Sequence, residues 1–199
     1  MKKEENKKIK REVVGVLADL RSVYNTASCF RTAEGLGVSK LYLVGTTPGP
    51  RDRFGRERKD FAKVALSAEK MVNYEYSGKA EEIINKLKKE GFLVVGVEQD
   101  FRAENLFDFV RDLDKQGRES GKNSKSGIKN QRGERERDFI KIRAIKKIAL
   151  VFGNETEGLA DEILDSCDKI TEIPMRGKKE SLNVAVVFGI AVYSFKNLR

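Results

Sequence analysis

The chain has 199 residues, 40 Lys and Arg against 31 Asp and Glu, a formal net charge of +9 and no histidine. The missing histidine excludes histidine general bases, Ser-His-Asp triads and histidine metal sites. The length fits one domain burying roughly 70% of its unfolded surface, and the basic excess suits nucleic acid, a membrane surface or a plain positive exterior.

Residues 1–12 read as a basic tail, with no apolar run of signal-peptide type behind them. Such a tail is either solvated or in contact with RNA phosphates. Val13–Ala18 is the first predicted strand. A helix is predicted over Thr26–Gly35, capped by Asn25 or Thr26 and ended by Gly35 and Gly37. Arg31 falls in its second turn. The second strand, Leu41–Gly45, leads into Pro48–Asp60, where Arg51, Arg53, Arg56, Arg58 and Lys59 surround Phe54. Cations interleaved with an aromatic suit phosphates and stacked bases, and a flexible solvated loop has the same composition.

Helices are predicted over Phe61–Lys70 and Lys79–Glu90, a strand over Leu93–Val97 and a helix over Asn105–Asp112. Residues 114–138 break the pattern: Ile128 is their only aliphatic residue, and eight Lys and Arg face five Asp and Glu. Such a stretch cannot bury enough apolar surface to order itself. It reads as a mobile basic insertion, either solvated or in electrostatic contact with RNA.

The last third is the most informative. Strand Ile148–Phe152 enters a loop carrying Gly153, Asn154, Glu155, Glu157 and Gly158, then a helix over Glu157–Ser166. Strand Ile170–Ile173 enters a loop with Met175, Arg176, Gly177, Lys178 and Ser181. That loop runs into a helix, Leu182–Phe195, that is apolar nearly all round.

Short strands rich in Val, Ile and Leu, alternating with helical patterns, predict a parallel α/β sheet covered on both faces. In such sheets ligands bind at the carboxyl ends of strands, beside helix N-termini. No glycine fingerprint of the dinucleotide or P-loop type is present. Cys29 and Cys167 form no Cys-x-x-Cys pair, which predicts core cysteines in a reduced, cytoplasmic protein without structural zinc. No apolar run reaches the length of a membrane span.

Three stretches, Asp19–Val38, VFGNETEG from Val151 and IPMRGKKESLNVAVVFGIAVY from Ile173, together resemble the SpoU branch of the SPOUT superfamily. These are AdoMet-dependent RNA ribose 2′-O-methyltransferases. The resemblance spans residues 13–110 and 148–196. It implies a Rossmann-like, mostly parallel sheet with helices on both faces and a C-terminal deep trefoil knot. Also implied are a homodimer, bound AdoMet, tRNA or rRNA as substrate, and no metal. The family's extra N-terminal RNA-binding domain is expected to be missing, leaving residues 13–199 as a single catalytic domain.

By the same resemblance, Val97, Phe152, Gly153, Asn154, Ile173, Met175, Ser181 and Leu182 hold the cofactor. Gly153 lets the backbone approach the ligand closely. Arg31, Asn25, Glu155, Ser181 and Asn183 are the catalytic positions. A guanidinium keeps its charge near neutrality. Arg31 is therefore expected to orient the target phosphate and stabilise the incipient oxyanion, with a general-base role as the alternative. Asn25 positions the ribose or Arg31, and Glu155 pairs with Arg31 or an arginine of a partner subunit. Ser181 reads equally as an N-cap, and Glu157 as a solvated first-turn residue. RNA contacts are expected from Arg31, Arg51, Arg53, Arg56, Arg58, Arg176 and Lys178. The alternative function is a catalytically inactive RNA-binding protein of the same fold.

Overall fold

The structure, a computed structural model, describes residues 11–119 and 145–197. Seven strands form one sheet: β1 (Glu12–Ala18), β2 (Lys40–Val44), β3 (Tyr74–Ser77), β4 (Leu93–Val97), β5 (Glu104–Asn105), β6 (Lys147–Phe152) and β7 (Lys169–Glu172). Their order is β3-β2-β1-β6-β4-β7-β5, and all six pairings are parallel. The α/β fold class expected from the strand and helix alternation is therefore observed. All strand carboxyl ends lie on one edge of the sheet.

Side chains along each strand alternate between two cores, as the pleat requires. Val13 and Leu17 of β1, with Ile148, Leu150 and Phe152 of β6, join one core. Helices α1 (Val23–Leu36), α2 (Lys59–Ala65), α4 (Leu106–Glu119) and α6 (Val184–Lys196) close that core with Phe30, Phe61, Leu106 and Phe188. Val14 and Val16 face the other way, with Ala149 and Val151. There they meet Ile83, Ile84 and Leu87 of α3 (Ala80–Lys89) and Ile163 and Leu164 of α5 (Asp161–Ser166). Burial on both faces explains why these strands read as unbroken apolar runs.

Several expectations are corrected. The short strands β3 and β5 carry no apolar run, so periodicity missed them. Tyr74 and Tyr76 give β3 its packing, with Tyr74 edge-on to Phe30 at 5.4 Å between centroids. The helix expected over Phe61–Lys70 is split, because Leu66 and Ser67 adopt positive φ of 51° and 72°. A 3-10 turn over Ala68–Lys70 follows. Arg11 is buried, its Nε donating to Ile145 O at 3.2 Å, so the tail does not extend to residue 12. Residues 1–10 lie outside the described residues. Helix α4 runs to Glu119, into the stretch read as an unstructured insertion; residues 120–144 lie outside the described residues. Among the described residues no helix is long and apolar enough to cross a membrane.

The last two strands enter the sheet at interior places, β6 between β1 and β4 and β7 between β4 and β5. The C-terminal segments thus interleave with strands laid down earlier, an arrangement compatible with a knotted C-terminus.

Candidate active site

The carboxyl ends of β4, β6 and β7 and the starts of α1 and α6 surround a cleft of about 520 Å³. This lies within the size range of small-molecule sites. Every expected cofactor residue lines it: Val97, Phe152, Gly153, Asn154, Ile173, Met175, Ser181 and Leu182. Asn25, Glu155 and Asn183 line it as well.

The loop after β6 is a tight turn. Asn154 N donates to Gly158 O at 3.2 Å, and Gly158 N returns to Asn154 O at 3.1 Å. Inside it, Asn154 Oδ1 accepts from Thr156 N at 2.8 Å and Glu157 N at 2.7 Å. Glu157 therefore belongs to this turn, not to a helix, and α5 starts only at Asp161. Gly158 has φ 71°. A Cβ on Gly153 would lie 2.2 Å from Gly158 C and 2.5 Å from Leu159 N. The close approach that demands glycine at 153 is thus to the loop's own backbone. That requirement stands whether or not a ligand also approaches the backbone here.

Glu155 projects from this turn to α1. Its carboxylate accepts from Arg21 N at 3.1 Å, Ser22 N at 3.3 Å and Asn25 Nδ2 at 2.7 Å. Asn25 Oδ1 in turn accepts from Asn183 Nδ2 at 3.0 Å. Asn183 Oδ1 caps α6 by accepting from Ala185 N at 2.8 Å. One hydrogen-bonded chain therefore joins the three stretches that carry the resemblance. Asn183 is the N-cap of α6, which removes the capping alternative for Ser181. Ser22 caps α1, accepting from Asn25 N at 3.2 Å, so neither Asn25 nor Thr26 is the cap.

Arg31 departs from expectation. The earlier start of α1 puts it in the third turn, and it lines a separate groove between α1 and α6. It makes no ion pair with Glu155 or with any other described residue. Glu155 is occupied instead by the start of α1, and Arg21 pairs with Glu157 at 2.8 Å.

Partial burial pushes the Glu155 carboxyl up, but the hydrogen bonds from Arg21 N, Asn25 and Ser22 N outweigh it. The net shift is below the ordinary 4.5. A depressed folded-state value means stability that is fully present above 4.5 and lost as pH falls through the folded value. Glu155→Gln should lower the melting temperature at neutral pH. The gap to wild type should narrow as melts are taken from pH 6 downward through 4. A gap that stays constant with pH would contradict this.

Sequence reasoning gave Glu98 no role of its own. Its carboxylate lines the cleft and accepts from Leu159 N at 2.9 Å and Gln99 N at 3.0 Å, tying the β4 and β6 loops together. No motif marks it, because the tie that matters, to Leu159 N, spans 61 positions of chain. Arg102 clamps the same rim, reaching Asp100 at 2.7 Å, Asp161 at 3.0 Å and Asp165 at 2.7 Å.

Glu98, Glu155, Glu157 and Glu172 line the cleft, and among the described residues no Lys or Arg does. An acidic cleft in a chain of charge +9 suits a small cationic ligand and repels phosphate. The expected phosphate-binding cations stand outside it. Arg176 and Lys178 are exposed on the loop that carries Met175 and Ser181, and Arg51, Arg53 and Arg56 are exposed after β2. Arg58 differs from these: it is half-buried at the N-terminus of α2, and its Nε has no hydrogen-bond partner among the described residues. No cluster of three or more Cys, Asp or Glu placed for a metal ion occurs among the described residues.

The family model for the SpoU rRNA Methylase family matches residues 12–193. The chain belongs to that family. It is 28% identical over 184 residues to the 23S rRNA (guanosine-2′-O-)-methyltransferase RlmB of Coxiella burnetii, covering 92% of this chain and 58% of that protein. It is 25% identical over 183 residues to the tRNA (guanosine(18)-2′-O)-methyltransferase of Borreliella burgdorferi, covering 90% of this chain and 63% of the relative. The chain thus spans about three fifths of the length of these curated relatives. Among solved structures, the A. aeolicus TrmH/SpoU tRNA modifying enzyme superposes with a TM-score of 0.68 at 22% identity, over 96% of this chain and 77% of that one. The SpoU methyltransferase AviRb from Streptomyces viridochromogenes, solved with AdoMet, gives 0.67 at 18% identity, over 94% and 60%. This SpoU chain therefore has the SPOUT fold that the resemblance implied, and the trefoil knot is implied by that fold family.

Proposed function

We propose that this SpoU chain is an AdoMet-dependent RNA methyltransferase acting on a ribose 2′-hydroxyl of tRNA or rRNA. The observation that carries the reading is the hydrogen-bonded chain Glu155–Asn25–Asn183 at the mouth of an acidic cleft. The names of the Coxiella and Borreliella relatives support the reaction class.

The cleft's residues fit AdoMet. Val97, Phe152, Ile173, Leu182 and Val187 offer apolar surface for an adenine, and four carboxylates offer negative potential to a sulfonium and an ammonium. When bound, AdoMet supplies an electrophilic methyl group. The chain's own residues supply position. Asn183 is fixed by α6, Asn25 by Asn183 and Glu155, and Glu155 by two backbone amides of the α1 entrance. Groups locked this way hold a ribose without reorganising during the reaction. Arg31 supplies a positive charge for the target phosphate and the developing alkoxide. Arg51, Arg53, Arg56, Arg176 and Lys178 track the RNA backbone.

The chain works as a homodimer. The groove of about 680 Å³ between α1 and α6 is lined by Arg31, Thr32, Leu36, Phe107, Ile190 and Tyr193. Val186 and Tyr193 of α6 are 49% and 59% exposed on the same helix face. A second copy covering this face would bring Arg31 to a site it does not reach in its own protomer. Light scattering at micromolar concentration should give twice the chain mass, and Tyr193→Glu should give a monomer with little methyl transfer. A wild-type monomer would contradict the dimer. The chain's place is the cytoplasm, on the strength of two cysteines that form no disulfide, Cys29 buried and Cys167 mostly so. Burial raises both thiols, Cys167 to about 12.

Transfer of labelled methyl from AdoMet to total RNA, with mapping of the 2′-O-methylated nucleotide, tests the function. RNA binding without any methyl transfer would instead establish the inactive RNA-binding alternative.

A further inference from the structure

The loop after β2 is not a floppy tether. Its base is tied to the loop after β1. Thr47 Oγ1 donates to Leu17 O at 2.9 Å and accepts from Leu20 N at 3.0 Å, and Thr46 N donates to Asp19 Oδ1 at 2.9 Å. Beyond it the chain folds into a small hairpin, with Arg51 bridged to Glu57 and Arg58 N donating to Pro50 O at 2.9 Å. Asp52 organises the tip. One carboxylate oxygen accepts from Phe54 N at 2.9 Å and Arg56 N at 3.0 Å, and the other from Arg56 Nε at 2.8 Å. Gly55 takes the turn with φ 79°.

This scaffold holds Phe54 in solvent, 66% exposed. The guanidinium groups of Arg53 and Arg56 lie over its ring at 4.7 and 5.0 Å from the centroid. The two arginines differ. Arg56 is locked to Asp52 at 2.8 Å. Arg53 makes no ion pair or hydrogen bond with any described residue, so it can leave the ring without breaking either.

We propose that Phe54, framed by Arg53 and Arg56, is a stacking platform for an unpaired RNA base close to the target nucleotide. The inference rests on the reading of this chain as an RNA-modifying enzyme. A base displaces the Arg53 guanidinium from the ring, Arg53 moves to the adjoining phosphate, and Arg56 stays as the fixed wall. Aromatic rings and guanidinium planes are the surfaces on which single-stranded bases stack. A paired base presents no free face, so the platform selects a loop or a single-stranded flank.

Position supports the pairing with the cleft. The sheet is parallel, so the loop after β2 emerges on the same edge as the loops that build the cleft. β2 lies two places from β6 in the sheet, a lateral offset of about 10 Å at the ordinary strand spacing. The acidic cleft repels phosphate, and this hairpin supplies cations beside it. An RNA strand can then enter the site with its backbone held outside.

The test uses the whole chain, a short fluorescein-labelled oligouridylate and a blunt RNA duplex. Phe54→Ala should weaken oligouridylate binding about tenfold, the scale of one lost stack. Phe54→Trp should restore it, and duplex binding should change little. Arg53→Gln should reduce the salt slope of oligouridylate binding by about one. AdoMet affinity and melting temperature should hold in Phe54→Ala, since the ring is mostly exposed. Unchanged oligouridylate binding in Phe54→Ala overturns the platform, as does a wild type that does not bind the oligomer. A change in oligomer mass with RNA affinity intact overturns it too, by assigning the ring to a protein contact. Methyl transfer by the wild type is measured separately, so loss of the platform and loss of the enzymatic reading give different results.

Discussion

Arg31→Ala should cut methyl transfer by about a hundredfold to a thousandfold, the scale of losing one preorganised charge at a developing oxyanion. AdoMet affinity should stay within a few-fold of wild type, because Arg31 does not line the cleft. Stability should barely move, since the side chain is exposed and has no ion-pair partner among the described residues. The geometry sharpens the expectation. Arg31 lies six residues beyond Asn25 on α1, about 9 Å along the axis and roughly 240° around it. The two side chains therefore leave α1 on different faces and line different cavities. In the homodimer proposed above, packed through the α1–α6 groove, Arg31 would serve the partner's cleft. The purified heterodimer of Arg31→Ala with a chain whose cofactor loop is disabled should then show about half of the wild-type rate, since one of its two composite sites is whole. No recovery would place Arg31 and the cofactor in the same protomer, and a fully active Arg31→Ala would remove it from catalysis.

Gly153→Ala should abolish measurable AdoMet binding and lower the melting temperature by several degrees. The added Cβ would sit 2.2 Å from Gly158 C and 2.3 Å from Gly158 O, and backbone atoms cannot rotate aside as side chains do. Overpacking of this kind costs about 1–3 kcal/mol, and about 2–4 °C of melting temperature accompanies each kcal/mol at this chain length. Opening the turn releases the anchors of Glu155 and Leu159 together. The two measurements discriminate between causes. Lost affinity with an unchanged melting temperature would mean that the ligand, not the loop, requires glycine at 153. Unchanged affinity would remove the β6 loop from the cofactor site. Calorimetry and thermal melts on the same samples decide.

The amino-acid order by itself determined the parallel α/β class, because strands buried on both faces must be apolar along their length, and β1, β4 and β6 are. It also determined which loops border the cleft, since a parallel sheet gathers its carboxyl ends on one edge. The eight residues assigned to the cofactor all line the cleft for that reason. Elements held by long-range contacts were not legible. β3 is a strand through Tyr74 on Phe30 and pairing with β2, and β5 through pairing with β7, neither of which leaves a periodic mark. The α5 start moved because Glu157 and Gly158 are drawn into a turn closed by Asn154.

Residue roles needed the tertiary structure most. Glu155 looks from the sequence like a counter-ion for an arginine. In the fold its carboxylate is taken by two amides and Asn25, contacts across some 130 positions of chain. Arg31 shares a motif with Asn25 but not a helix face, because the α-helix rotates about 100° per residue and a motif records only order along the chain. Sequence thus specified which side chains are present near the site. Only the packing of α1 against α6 decided where each of them points.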